Sequence, residues 1–427
     1  MRMFRTFYRA TAGVVLLVGL ALLPFLDVLM KERPDVDHLT LIYLLYLFKS
    51  VASYLLIYKK TLVDAHQMNY ITVLYHNGFL VLQDVCQIVI LLLTGNFILF
   101  LVIGVVCTIA GNICMSGTAD RLFPYLKEEC REKLPEAERK DILKNVKAMF
   151  MHKLGNVVVN NTDNLLISSF VGVVSAGIYS NYYLLIGSVR QVLDQALQGV
   201  AASVGNLGVT EDKEKISDVF EQLFFVGYWM YGFAGICLFE ILNPFVELAF
   251  GEQYLFQRNI VLILCINFFI NGMRKAVLIF KESMGLFWYD RYKALSEAVL
   301  NLSISILLVK NFGVWGVFAG TFCSTVLTSV WVEPCILYKY RFHRPVKEYF
   351  KTYAAYILMM AAAWSLTEGI CHLIRGGIFT QLFLRGLVCV TVPNLLLWLI
   401  FHQTEKWKRL AGLLKKIVKK VRKSFRR

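Results

Sequence analysis

What most limits this chain is a succession of apolar stretches, each close to the ~20 residues that a helix needs to cross a bilayer. Twelve are read at 12–30, 39–58, 71–93, 97–116, 154–174, 176–203, 219–242, 259–280, 292–309, 314–333, 352–374 and 382–401. Backbone N–H and C=O groups find no water in lipid, so each stretch must satisfy them internally, as helix. The expected fold class is all-α: a polytopic membrane protein of about 12 transmembrane helices. The composition agrees: 57% of residues are hydrophobic and only 18% are charged, against about a quarter charged in soluble domains.

Arg2, Arg5 and Arg9 precede the first stretch, as in a signal peptide. That stretch is long, however, and ends in Met30-Lys31-Glu32-Arg33 with no small-x-small cleavage site, so a retained span is expected. Twelve spans put both termini on one side. The segments on that side carry 34 of the 45 Lys and Arg residues; those on the other side carry 5. Positive charge collects on the cytoplasmic face, so the expected location is the cytoplasmic (inner) membrane with both termini inside. The same distribution accounts for the net charge of +15 without nucleic acid.

The largest segments outside the spans are 117–153 and the tail after Phe401, and neither is long enough for an enzyme domain. The first, with mixed charges from Lys127 to Lys147, reads as an amphipathic cytoplasmic connection between four spans and eight. In the tail, Trp407, Leu410, Leu414, Ile417, Val421 and Phe425 recur at helical spacing opposite Lys and Arg. Such a stripe suits an interfacial helix on anionic membrane lipids.

Polar side chains inside a membrane are expensive, which makes their positions informative. The third span carries His76, Asn77, Gln83, Asp84 and Gln87 on one side. The fifth carries Asn156, Asn160, Asp163 and Asn164, and the sixth Asn181, Ser188, Gln191, Asp194, Gln195 and Gln198. Any single Asn or Gln is accounted for by bonds between helices. Three broad polar faces point instead to a water-filled cavity. Arg190 stands four residues before Asp194. Two readings stay open for it: an i,i+4 ion pair, or a site for an anion. Lys49, mid-span, is a cavity candidate. Arg274 and Lys275, near a span end, are expected to snorkel to headgroups, with a cavity role as the alternative, and Arg385 is expected to snorkel. Glu297 and Asn301 mark a further polar seam. Asp84 and Asp163 are candidates for a coupling cation or proton, with helix–helix bonding equally open.

Motifs for soluble chemistry are absent: there is no Walker A sequence, zinc-ligand spacing or nucleophile elbow. The ten cysteines form no C-x-x-C pair, so no metal, cofactor or disulfide framework is expected. Transport outranks catalysis, and the chain is expected not to be an enzyme.

Three runs carry a family likeness: Thr162-Asp163-Asn164-Leu165-Leu166-Ile167-Ser168, then Ala176-Gly177-Ile178-Tyr179-Ser180-Asn181-Tyr182-Tyr183, and Ala202-Ser203-Val204-Gly205-Asn206-Leu207-Gly208. So do the shorter Phe7-Tyr8-Arg9, Leu22-Leu23-Pro24-Phe25-Leu26, Pro124-Tyr125-Leu126 and Asn243-Pro244-Phe245. The chain resembles the polysaccharide-transport flippases of the multidrug/oligosaccharidyl-lipid/polysaccharide exporter superfamily. The resemblance implies two helical lobes around a central cavity, alternating access, and a lipid-linked oligosaccharide as substrate for cell-surface polysaccharide synthesis. It divides the chain into a partial N-terminal lobe (1–116), the inter-lobe connection (117–153), a C-terminal lobe (154–333), two additional helices (334–401) and the basic tail (402–427). Family members carry two more helices before the stretch matching Phe7-Tyr8-Arg9, so the chain reads as shortened at its N-terminus.

On that reading Lys49, Asn160, Asp163, Asn164, Arg190, Gln191, Asp194, Gln195, Arg274 and Lys275 are the candidate substrate contacts, the cations meeting phosphate and the amides the sugar. Asp84 and Asp163 are the coupling candidates. The alternatives are a drug/cation antiporter of the same superfamily, a membrane glycosyltransferase or ligase, and a non-transporting scaffold among polysaccharide-synthesis proteins.

Overall fold

The turn between the third and fourth expected spans shows how the sequence sets its helix ends. Thr94-Gly95-Asn96 separates two apolar runs. Gly95 takes the left-handed conformation (φ 63°) that closes the first helix, its N–H donating to Leu91 O at 2.9 Å. The Asn96 side chain then accepts from the Ile98 and Leu99 amides at 2.9 and 3.2 Å, capping the next helix. The computed structural model describes residues 2–26, 38–54, 57–66, 68–127, 136, 161–198, 204, 213–286, 289–290, 292–405, 407–409 and 412. Among these residues there is no strand.

The backbone divides into two units, 1–138 and 139–427. Unit 1 holds α1 (Arg2–Leu22), α2 (Leu39–Tyr54), α3 (Ile57–Ala65), α4 (Asn69–Thr94) and α5 (Phe97–Leu122). Its core is small, built on Val63, Met115, Ala119 and Phe123. Polar ties supplement it: Lys59 pairs with Asp120 at 2.6 Å, Thr72 donates to Asp64 at 2.7 Å, and Asn112 donates to Ala52 O at 3.0 Å. Only 6% of the most apolar stretch of Tyr70–Thr94 is buried. So large an apolar surface is stable against lipid and not against water.

Unit 2 begins with a helical segment over 161–171 that ends in the π turn Ile167–Val171. It continues with α6 (Val173–Gln198), α7 (Lys213–Phe250), α8 (Arg258–Met273), α9 (Lys275–Ser283), α10 (Lys293–Leu327), α11 (Ser329–Leu337), α12 (Lys347–His372) and α13 (Ile378–Phe401). α7 is central. Its Phe220, Phe224, Phe225 and Tyr228 pack on Tyr349, Tyr353 and Tyr356 of α12 and Phe401 of α13, with Tyr228 stacked on Tyr356 at a centroid distance of 4.2 Å. Here 67% of the best window of Arg258–Ser283 is buried, so helix packs on helix rather than on lipid.

Small residues allow close approach. A Cβ on Gly272 of α8 would fall 2.0 Å from the ring of Tyr231, which is fully buried on α7. Gly272→Ala is therefore expected to lower stability by about 1–3 kcal/mol through overpacking. Thermal unfolding in detergent measures it; an unchanged midpoint would show that the ring moves aside freely.

α10 is two antiparallel limbs, 293–312 and 314–327, joined at Gly313, whose φ of 55° and ψ of −135° lie outside helix geometry. A Cβ on Gly320 would lie 2.8 Å from Ser305 Cα. A continuous helix would hold residues fifteen apart at about 22 Å, so the chain must reverse. Gly316 and Gly320, a small-xxx-small pair, face the first limb and let the two limbs touch.

Eight helices among the described residues are long and apolar enough to cross a membrane, or nine if Leu39–Tyr54 with Ile57–Asp64 makes one bent span. Lys293–Phe342 counts there as one stretch although it reverses at Gly313. α6 is long enough to cross at 26 residues but is too polar along one face to pass as apolar. Helix ends differ from expectation where polar residues lie just past an apolar run. α5 continues to Leu122 because Asp120 is held by Lys59, and α7 runs through Pro244 to Phe250.

Candidate functional site

The polar face of α6 forms an open recess of about 430 Å³ lined by Tyr183, Ile186, Gly187, Arg190, Gln191, Asp194 and Gln195. Helical spacing dictates this, since 183, 187, 190, 191, 194 and 195 fall on one side of a 3.6-residue helix. Gln191 and Gln195 are exposed in it, while Arg190 and Asp194 are half-buried.

Of the two readings open for Arg190, the i,i+4 ion pair with Asp194 is not formed. Asp194 is taken from the other side: Lys275 Nζ, at the start of α9, lies 2.7 Å from its Oδ2, and the Tyr231 hydroxyl donates a short hydrogen bond to its Oδ1. Among the described residues Arg190 makes no ion pair or hydrogen bond, and its buried Nε has no partner. An unpartnered guanidinium within a span needs an anion or water beside it.

Arg274 and Lys275 do not snorkel. Arg274 donates to both carboxylate oxygens of Glu333, at 2.7 and 3.0 Å, and to Asn271 at 3.0 Å. Lys293 bonds the same carboxylate. Glu297 completes the block, 3.8 Å from Arg274 and 3.6 Å from Lys293, and accepts from Ser329 at 2.6 Å and Thr325 at 3.2 Å. Two cations and two anions balance, so the block holds α8, α10 and α11 together without calling for a ligand. Arg385 departs from its expectation too: it lies 3.6 Å from buried Glu240, which Arg258 also pairs at 3.1 Å.

Asp163 is buried in a seam against the second limb of α10. Thr321 Oγ1 donates to it at 3.2 Å and accepts from Asn301 at 2.9 Å; Thr162 reaches Asn301 at 3.4 Å. Among the described residues Asp163 has no cationic side chain within ion-pair distance. A buried carboxylate beside hydroxyl and amide oxygens is chemically suited to a proton or a hard monovalent cation. Asn164, on the same turn, is exposed. Asn160 lies outside the described residues.

In unit 1, Lys49 Nζ reaches Gln83 at 3.5 Å; Gln83 donates to Gln87 at 3.2 Å, and Gln87 to Phe100 O at 2.8 Å. Lys49 lines a recess of about 180 Å³ with Tyr46, Gln83 and Gln87. His76 lines a second recess of about 240 Å³ with Lys60, Tyr75, Gln83 and Asn112. Asp84 is exposed, off this chain of amides. In the tail, Trp407 packs on Trp229 at 5.1 Å between centroids and Arg409 pairs with Asp218 at 3.0 Å, so the first turn of the expected lipid-facing stripe is docked on protein. Leu410, Leu414, Ile417, Val421 and Phe425 lie outside the described residues.

Sequence reasoning missed Tyr231, Glu240, Thr321 and Glu333. Glu240 was detectable as a lone carboxylate in an apolar run. Tyr231 and Thr321 carry no such signal, being ordinary residues in a membrane helix.

Residues 67–256 match the family described as polysaccharide biosynthesis protein, a range that includes Asp163, Arg190, Asp194 and Tyr231. The fold of this chain is similar to that of the lipid II flippase MurJ in an inward closed conformation, at a TM-score of 0.63 and 12% identity, over 94% of this chain and 84% of that one. It is also similar to the MATE transporter VcmN of Vibrio cholerae, at a TM-score of 0.54 and 13% identity, over 80% of each chain. No curated protein sequence matches the chain. The chain is thus a multi-pass membrane protein that shares the fold of these two transporters.

Proposed function

We propose that this transporter flips a lipid-linked oligosaccharide with an anionic phosphate linkage across the cytoplasmic membrane for surface-polysaccharide synthesis, both termini facing the cytoplasm. The observation that carries the reading is Arg190: a guanidinium with no partner among the described residues, facing an open recess rimmed by Gln191 and Gln195. Guanidinium suits phosphate because its fork of donors matches two phosphate oxygens. The amides suit sugar hydroxyls. Arg274 is left out of the phosphate role, since Glu333 occupies it. The match to a polysaccharide biosynthesis family supports the sugar, and the likeness to a lipid II flippase supports the lipid carrier.

The test is reconstitution. The purified protein in liposomes is expected to move a fluorescent isoprenoid-diphosphate oligosaccharide between leaflets, read as accessibility to a membrane-impermeant quencher. Movement no faster than in protein-free liposomes would overturn the reading.

Asp163 is the residue proposed for coupling. Asp163→Asn is expected to abolish any acceleration of flipping by an imposed cation or pH gradient. Undiminished acceleration in that variant would exclude it.

A further inference from the structure

Asp194 is held twice, and its two partners are unequal. Tyr231 is wholly buried against Gly272 and cannot leave. The Lys275–Asp194 pair is accessible, with side-chain exposures of 27% and 20%, and it borders the recess that holds Arg190. Lys275 is therefore a second cation one carboxylate away from the first, withheld rather than absent.

We infer that Asp194 sets the charge selectivity of the recess by holding Lys275 in reserve: a diphosphate recruits Lys275 beside Arg190, while a monophosphate engages Arg190 alone. This rests on the proposed anion role of Arg190. When Lys275 turns to the ligand, Asp194 would be a bare carboxylate in a membrane protein, and such a group is costly. The Tyr231 hydroxyl removes that penalty by continuing to donate to Oδ1. Tyr231 is thus a positioning residue: it makes the exchange affordable without touching ligand. The pair is partly open to water, and solvent screening weakens it enough to exchange.

The experiment measures binding of farnesyl phosphate and farnesyl diphosphate to the full-length protein in detergent, in magnesium-free buffer, and reads the ratio of the two affinities. Asp194→Asn frees Lys275 and is expected to raise the preference for diphosphate about tenfold. Lys275→Met should erase the preference. Tyr231→Phe should lower it about tenfold, because releasing Lys275 then strands Asp194. A folding defect lowers both affinities together and leaves the ratio in place, whereas these changes move it in opposite directions. Arg190→Gln separates the two claims. If it binds both ligands as the native protein does, the anion site itself is wrong. If it loses both while the ratio stays fixed in the other three variants, the anion site stands and the exchange is overturned.

Discussion

Glu333→Gln is expected to destabilise the protein by about 3–5 kcal/mol, because it removes one anion from a buried block and leaves its cations behind. The Glu333 side chain is 1% exposed and accepts two bonds from Arg274 and one from Lys293. Without its charge, Arg274 and Lys293 share Glu297, at 3.8 and 3.6 Å. An isosteric amide cannot replace a carboxylate that serves two cations. Removing a cation together with the anion is another matter: Glu333→Leu with Arg274→Met leaves Lys293 and Glu297 as a balanced pair and should recover most of the loss, since a buried ion pair is often no better than apolar packing. Chemical or thermal unfolding in detergent decides it. A Glu333→Gln protein within about 1 kcal/mol of the native one would mean that water reaches the block.

The second large effect is on transport. Arg190→Gln should lower flipping about 10–100-fold, the loss of one charge-assisted phosphate contact. Its stability should not fall, because no ion pair is broken. This asymmetry distinguishes the recess from the block at Glu333, where the charge is structural. Arg190→Lys should retain part of the activity, keeping the charge but losing the two-pronged geometry. The measurements are flipping rate in proteoliposomes and unfolding midpoint of the same preparations. A fall in midpoint matching the fall in rate would assign Arg190 to structure.

Much of this was legible in the sequence, and for a definite reason. Bilayer thickness and helical period are fixed lengths, so apolar runs mark spans and the positions 183, 187, 190, 191, 194 and 195 mark a face. The reversal at Gly313 falls between the expected spans 292–309 and 314–333, and Glu297 with Asn301 does form a seam. Pairing between helices was not legible. Asp194 and Lys275 are 81 residues apart, and Arg274 and Glu333 are 59 apart; nothing in the periodicity of one helix names its neighbour. The local reading offered Asp194 its nearest cation in sequence, and packing supplied another. The span expected at 219–242 stopped short for a related reason. Asn243 accepts from Tyr182 at 2.6 Å and donates to Phe256 O at 3.1 Å, so tertiary bonds hold α7 through Pro244 to Phe250.

The doubled limb of α10 bears on how the chain enters the membrane. Its first limb carries Glu297, Asn301 and Ser305, and several of their hydrogen-bond partners arrive later in synthesis: Val317 O and Thr321, then Thr325 and Ser329. The limb's polar groups are fully satisfied only after those residues have left the ribosome. Entry of the two limbs together, as a hairpin with the Gly313 bend leading across, closes the polar seam before lipid surrounds it.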